Sequence, residues 1–201
     1  MRKKIILIIL IFIMALINAK EKYKLIVDED NSFASSFVYK IIDQKENPVK
    51  LPVNIQKILQ DPFFLGLHNS ELIFYSGEFI KLYNLDTKKE KKLLNIDYNN
   101  IDGFGNPIWS QDNKKIMFVV IDQQHKNGFK DMCRIIVLFL DKNRDLVNKK
   151  QYDKPVNFSC GSICLSEANK DYMFVDNNTI KYKRHEIIDD RPGIFEIIKI
   201  E

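Results

Sequence analysis

The feature that most constrains this chain is a strand-and-corner pattern that returns along it. Asn113-Lys114-Lys115-Ile116-Met117-Phe118-Val119 has a counterpart 56 residues later in Asn169-Lys170-Asp171-Tyr172-Met173-Phe174-Val175, and Ser110 ahead of the first matches Ser166 ahead of the second. A looser copy, Asn69-Ser70-Glu71-Leu72-Ile73-Phe74-Tyr75, lies 44 residues before the first. A second pattern recurs as Phe37-Val38-Tyr39-Lys40-Ile41-Ile42-Asp43, Ile80-Lys81-Leu82-Tyr83-Asn84-Leu85-Asp86 and Ile135-Ile136-Val137-Leu138-Phe139-Leu140-Asp141. A period near 43 residues with several strands in each unit marks stacked β-sheet blades. One four-stranded sheet cannot bury both of its faces alone, so such units must stack.

The strands themselves are short. YKLIV at 23–27, FVYKII at 37–42, ELIFY at 71–75, FIKLYNL at 79–85, KIMFVVI at 115–121, RIIVLFL at 134–140, YMFV at 172–175 and FEIIKI at 195–200 are rich in β-branched and aromatic residues and bounded by polar turns. Val53–Leu59 predicts one turn of helix, and no long amphipathic helix is visible. At each corner Asn69, Asn113 or Asn169 suits a left-handed backbone, and Ser110, Ser166 and Asp112 can bond the corner amides. Phe74, Phe118 and Phe174, with the single Trp109, read as aromatics packed between blades. The predicted fold is all-β: a propeller-like array of about three to four four-stranded blades, roughly 20–56, 57–100, 101–155 and 156–201, closed, open or incomplete.

The spacing also locates an insertion. Phe74 to Asp86 is 12 residues and Phe118 to Asp141 is 23, so the third unit carries extra chain between its second and third strands, at about 121–132. That segment is polar, and Gln123, Gln124, His125, Lys126 and Phe129 are its candidate partner-contacting residues.

Met1–Ala19 has a basic start, an unbroken apolar run over Ile5–Ile17 and a small residue at Ala19, the pattern of a cleaved signal peptide. The run of 13 residues is too short to cross a hydrocarbon core of about 30 Å. The sequence therefore predicts a signal peptide over 1–19, a β-propeller-like domain over 20–201, a periplasmic or secreted location and no stable membrane span after cleavage. The formal charge is +4; the leader accounts for three basic residues, which leaves +1. That balance gives the remainder no electrostatic reason to seek nucleic acid. Lys88-Lys89-Glu90-Lys91-Lys92 reads as a solvated turn.

Pro107-Ile108-Trp109-Ser110-Gln111-Asp112-Asn113-Lys114-Lys115-Ile116-Met117-Phe118 resembles the WD-like repeat of TolB-type β-propeller proteins of the bacterial cell envelope. That pattern runs roughly Pro-x-Trp-Ser-Pro-Asp-Gly, then Lys-x-Ile-x-Phe; here Gln111 replaces the second Pro and Asn113 replaces Gly. The resemblance implies a propeller that binds partners on the face carrying the loops between second and third strands. TolB-type propellers usually have six blades, more than this chain can supply.

Other constellations are weak. Asp141-Lys142-Asn143-Arg144-Asp145 alternates oxygen ligands as a calcium loop does, but Leu146 stands where Gly should be and Tyr152 where Glu should be. The turn after a third strand explains Asp141 better. Cys160-Gly161-Ser162-Ile163-Cys164 has no nucleophile elbow, and on a straight strand its two Cys would lie about 13 Å apart, too far to bridge. With Cys133 the count is odd. No cofactor, metal or catalytic residue is assigned. The expected function is an exported non-enzymatic binding or scaffold module that recognises a protein or peptide of the cell envelope. The alternative is an enzyme, or an accessory propeller domain of a hydrolase or glycan-acting system.

Overall fold

The computed structural model describes residues 21–28, 38–60, 62–97, 101–122, 133–154, 156, 171–184 and 194–200. Four antiparallel sheets follow one another along the chain. The first pairs β1 (Tyr23–Val27) with β2 (Tyr39–Asp43), and the helix α1 (Val53–Gln60) follows it. The second holds β3 (Leu65–His68), β4 (Glu71–Ser76), β5 (Phe79–Asn84) and β6 (Lys89–Asn95), side by side in chain order. In the third, β7 (Ile101–Phe104) and β8 (Ile108–Trp109) share one edge of β9 (Lys115–Asp122), and β10 (Cys133–Leu140) and β11 (Leu146–Asp153) follow. The fourth holds β12 (Tyr172–Asp176), β13 (Thr179–Lys183) and β14 (Phe195–Lys199). The chain is an all-β array, as the recurring pattern predicts.

Alternation along the strands explains the stacking. Ile116, Phe118 and Val120 of β9, with Ile136, Leu138 and Leu140 of β10, pack against Ile73, Ile80, Leu82 and Leu93 of the second sheet. The intervening residues Met117, Val119, Cys133, Ile135 and Val137 pack against Tyr172, Ile180, Tyr182 and Ile198 of the fourth sheet. The third sheet is thus apolar on both faces because a sheet covers each. The second sheet turns Leu65, Leu72, Phe74 and Tyr83 the other way, onto Tyr39 and Ile41 of β2 and Ile55 and Leu59 of α1. Among the described residues none of the three clusters joins the fourth sheet to the first.

Position within the repeat fixes direction. Phe74 and Phe118, on β4 and β9, both face the preceding sheet. The corner asparagines Asn69 and Asn113 both adopt left-handed backbone, at φ 54° and 58°. The turn after the third strand is also repeated. Asp43 Oδ1 accepts the amides of Lys45 and Asn47, and Asp141 Oδ1 accepts those of Asn143 and Asp145. In the second sheet Asn84 takes over this task, its Oδ1 accepting the amides of Asp86 and Thr87.

Four expectations are corrected. The helix over 53–60 is eight residues long rather than one turn, because Ile55 and Leu59 fill the space beside β2. Lys89-Glu90-Lys91-Lys92 is not a turn but the start of β6, an outer strand whose lysines face water and disguise its alternation; β11 was hidden in the same way. The sheets also differ in size: among the described residues they hold two, four, five and three strands.

The last correction concerns Phe174. β12 lies against β8, and the turn after it, Asn177-Asn178, meets the corner of the third sheet: Asn177 Oδ1 accepts the Asp112 amide at 2.9 Å and Asn178 Oδ1 accepts from Lys115 Nζ at 3.2 Å. β12 therefore occupies the place of a first strand beside β8, and β13 the place of β4 and β9. Ile180 and Tyr182 of β13 hold the second-strand positions that the match assigns to Tyr172 and Phe174; Tyr172 is buried in the same cluster and Phe174 packs half-buried against it, both from a first strand. First and second strands here are both short, apolar and preceded by polar residues, so the pattern alone cannot tell them apart.

Candidate functional site

The first strands of successive sheets, β3 and β8, end at the same level, and their corners interlock. Ser110 Oγ accepts the Lys115 amide at 2.9 Å and donates to Asp112 Oδ1 at 2.7 Å, which in turn accepts the Lys114 amide at 3.1 Å. Burial acts against ionised Asp112, but the Ser110 hydroxyl and the Lys114 amide hold its carboxyl below the usual range. The left-handed turn aims Asn113 at the second sheet, where its Oδ1 accepts from His68 Nε2 at 2.5 Å. Arg144 completes the seam: its guanidinium donates to the Asn113 carbonyl and to the Glu71 carboxylate. The imidazole of His68 also stacks on the indole of Trp109, with ring centroids 5.2 Å apart and planes 22° apart. The indole Nε1 is buried, with no acceptor among the described residues.

A cleft of about 550 Å³ opens beside this pair. It meets Tyr23, Lys24, Leu25 and Ile26 of β1, Leu65 to Asn69 along β3 and its corner, and Asn106 to Trp109 along β8. Successive residues of a strand face opposite ways, so a space that meets them consecutively meets the strand's edge. A second hollow of about 430 Å³ shares His68, Asn69, Ile108 and Trp109 and extends to Met173 and Phe174 of β12. Close packing under the cleft depends on Gly66, where a Cβ would come within 2.3 Å of Pro107 Cγ. At the mouth, Tyr23 Oη and Lys22 Nζ both donate to Asp86 Oδ1, at 2.8 and 2.5 Å, and these bonds hold the Asp86 carboxyl below its ordinary value.

The residues singled out from the sequence are distributed as follows. Phe118 and Phe74 are fully buried, and Ser110 is buried at its corner. Trp109 packs against the cluster between the second and third sheets but is half-buried, and it also lines the cleft. Asn69, Asp112 and Asn113 stand in the corners as the pattern requires. Gln123, Gln124, His125, Lys126, Phe129, Ser166, Asn169, Cys160 and Cys164 lie outside the described residues, as does the segment 1–19 expected as a signal peptide. Cys133 is buried, with its thiol beside the Val156 carbonyl. Among the described residues no group of three or more His, Cys, Asp or Glu is placed to hold a metal, and no helix is long and apolar enough to cross a membrane. Sequence reasoning missed His68 and the edge of β1. His68 precedes a corner Asn, and that position was the available signal.

No family model matches the chain, and no curated protein matches it. Among solved structures, the chain is similar to an acylaminoacyl peptidase of Pyrococcus horikoshii (orthorhombic crystal form), at 12% identity and a TM-score of 0.45. The alignment covers 90% of this chain and 31% of the peptidase chain, so this chain spans about a third of that length.

Proposed function

We propose that this protein is an exported, non-enzymatic binding module that recognises a protein or peptide of the cell envelope. The observation that carries the reading is the cleft walled by the edges of β1, β3 and β8, with the Trp109–His68 stack in its wall. Strand edges offer backbone donors and acceptors, and a half-buried indole in the wall offers apolar surface; together they suit a polypeptide. The signal-like start over 1–19 and the resemblance of 107–118 to the TolB-type repeat support the envelope as the place of action.

Trp109 is the single tryptophan, so its emission reports on the cleft without labelling. The purified protein is titrated with peptides selected from a displayed random dodecapeptide library. The expected result is a saturable change in Trp109 emission, with the peptide recovered intact. If no selected peptide changes the emission, the binding reading is wrong. Cleavage of bound peptide by the pure protein would establish the enzyme reading instead.

A further inference from the structure

We propose that the open edge of β1 takes an extended polypeptide segment as an added strand, in the place that β3, β8 and β12 hold in the other sheets. This deepens the binding reading above and rests on it.

β3 and β8 run toward the corners at Asn69 and Asn113. β1 starts at the corner end, where Lys22 and Tyr23 meet Asp86, and runs away from it. It therefore has the direction of a second strand, like β4 and β9. β2 ends in the Asp43 turn that matches the Asp141 turn after the third strand β10. On its far side β2 is bonded by the hook after that turn, where the Val49 amide donates to the Ile41 carbonyl at 2.8 Å. The first sheet thus has its second and third strands. Among the described residues it has no first strand, and β2 is the only strand paired with β1.

The register says which groups are left over. The Asp28 amide donates to the Val38 carbonyl at 2.7 Å, and this pair continues the β1–β2 register. Hydrogen-bonded pairs alternate in an antiparallel ladder, so Lys24 and Ile26 bond to β2. The N–H and C=O groups of Tyr23, Leu25 and Val27 point to the open edge. Three donors and three acceptors at alternate residues are the complement of another polypeptide backbone. The same parity turns the backbone groups of Leu65 and Leu67 toward the cleft, since the Tyr75 amide bonds to Phe64 in the β3–β4 register. The charged side chains in the cleft wall are one acid, Glu21, and one base, Lys24, so no excess of either sign selects a phosphate or a polyanion. The outer strands β6 and β11 carry Lys89, Lys91, Lys92, Lys149 and Lys150, a common guard against strand addition. β1 carries one lysine and borders a cleft.

The test is amide exchange followed by NMR on the ¹⁵N-labelled protein. The probe is the tightest dodecapeptide from the library above, terminally blocked, together with two versions N-methylated at alternate residues in opposite phase. In the free protein the amides of Tyr23, Leu25 and Val27 exchange about tenfold or more faster than those of Lys24 and Ile26. Saturating peptide slows those three by a similar factor, and one methylation phase abolishes binding while the other does not. A peptide that shifts Trp109 emission but leaves the three amides unchanged overturns strand addition and leaves the binding reading standing. Protection of the three amides before any peptide is added also overturns it, because the chain then covers its own edge. If no peptide binds, both readings fail.

Discussion

Phe118 sits in the middle of β9 with no exposed surface, its ring 5.2 Å from that of Phe64 and 6.2 Å from that of Phe104. Phe118→Ala leaves a cavity between two sheets that cannot close toward each other. A loss of about 3–5 kcal/mol is expected in a urea titration. Asn113 has a different task. Its φ of 58° lies in the left-handed region, and its side chain is bonded to His68. Asn113→Ala should lose about 1–2 kcal/mol from the backbone alone. Asn113→Gly should recover that part while still losing the contact that holds His68 against Trp109. The expected signature is near-normal stability for the glycine variant with altered Trp109 emission.

At the scale of the element, β3 is placed by what it lacks. Gly66 lets β3 lie against Pro107, and a methyl group there would meet a ring that cannot swing away. Gly66→Ala should force the second and third sheets apart at their inner strands. The expected cost is about 1–3 kcal/mol in thermal or chemical unfolding, with a change in Trp109 emission in the folded state. The pairing of β3 with β4 should survive, because its two-residue corner at Asn69-Ser70 is untouched.

At the scale of the whole molecule, the sheets are joined by polar seams as well as by apolar clusters. Asp86 ties the second sheet to Lys22 and Tyr23 of the first; Glu196 is held within the fourth sheet by Tyr182 and Arg184, and Asp43 and Asp176 by backbone amides of their own turns; all four carboxyls lie below their ordinary values. A carboxyl depressed in the folded state is protonated first in the unfolded chain. Its contribution is full above the unfolded values, 3.8 for aspartate and 4.5 for glutamate, and is lost as pH falls through the folded values. The midpoint temperature should therefore hold steady from neutrality to about pH 5 and decline below about pH 4, modestly because these carboxyls are exposed. Variants Asp86→Asn and Glu196→Gln should flatten that fall. The proposed export makes a separate prediction: N-terminal sequencing of the protein from its own cell should begin at Lys20, and an intact Met1 form held in the membrane would contradict export.

What the sequence determined by itself is the repeating material. Short β-branched strands, Asn corners and Asp turns are local: each follows from alternation within a few residues or from one side chain bonding its own backbone. For that reason β4, β5, β9 and β10, the left-handed Asn69 and Asn113 and the Asp141 turn were all legible. The outer strands β6 and β11 were not, because exposed lysines erase the alternation that marks a strand. The tertiary structure alone decided which position each strand takes in its sheet. An apolar strand fits a first or a second position equally well, and the choice for β12 depends on Asn177 and Asn178 meeting Asp112 and Lys115, more than 60 residues away in sequence. The cleft has the same origin. It lies where β1, β3 and β8 present their edges together, and an edge is defined by the strand that does not pair there, which no local pattern records.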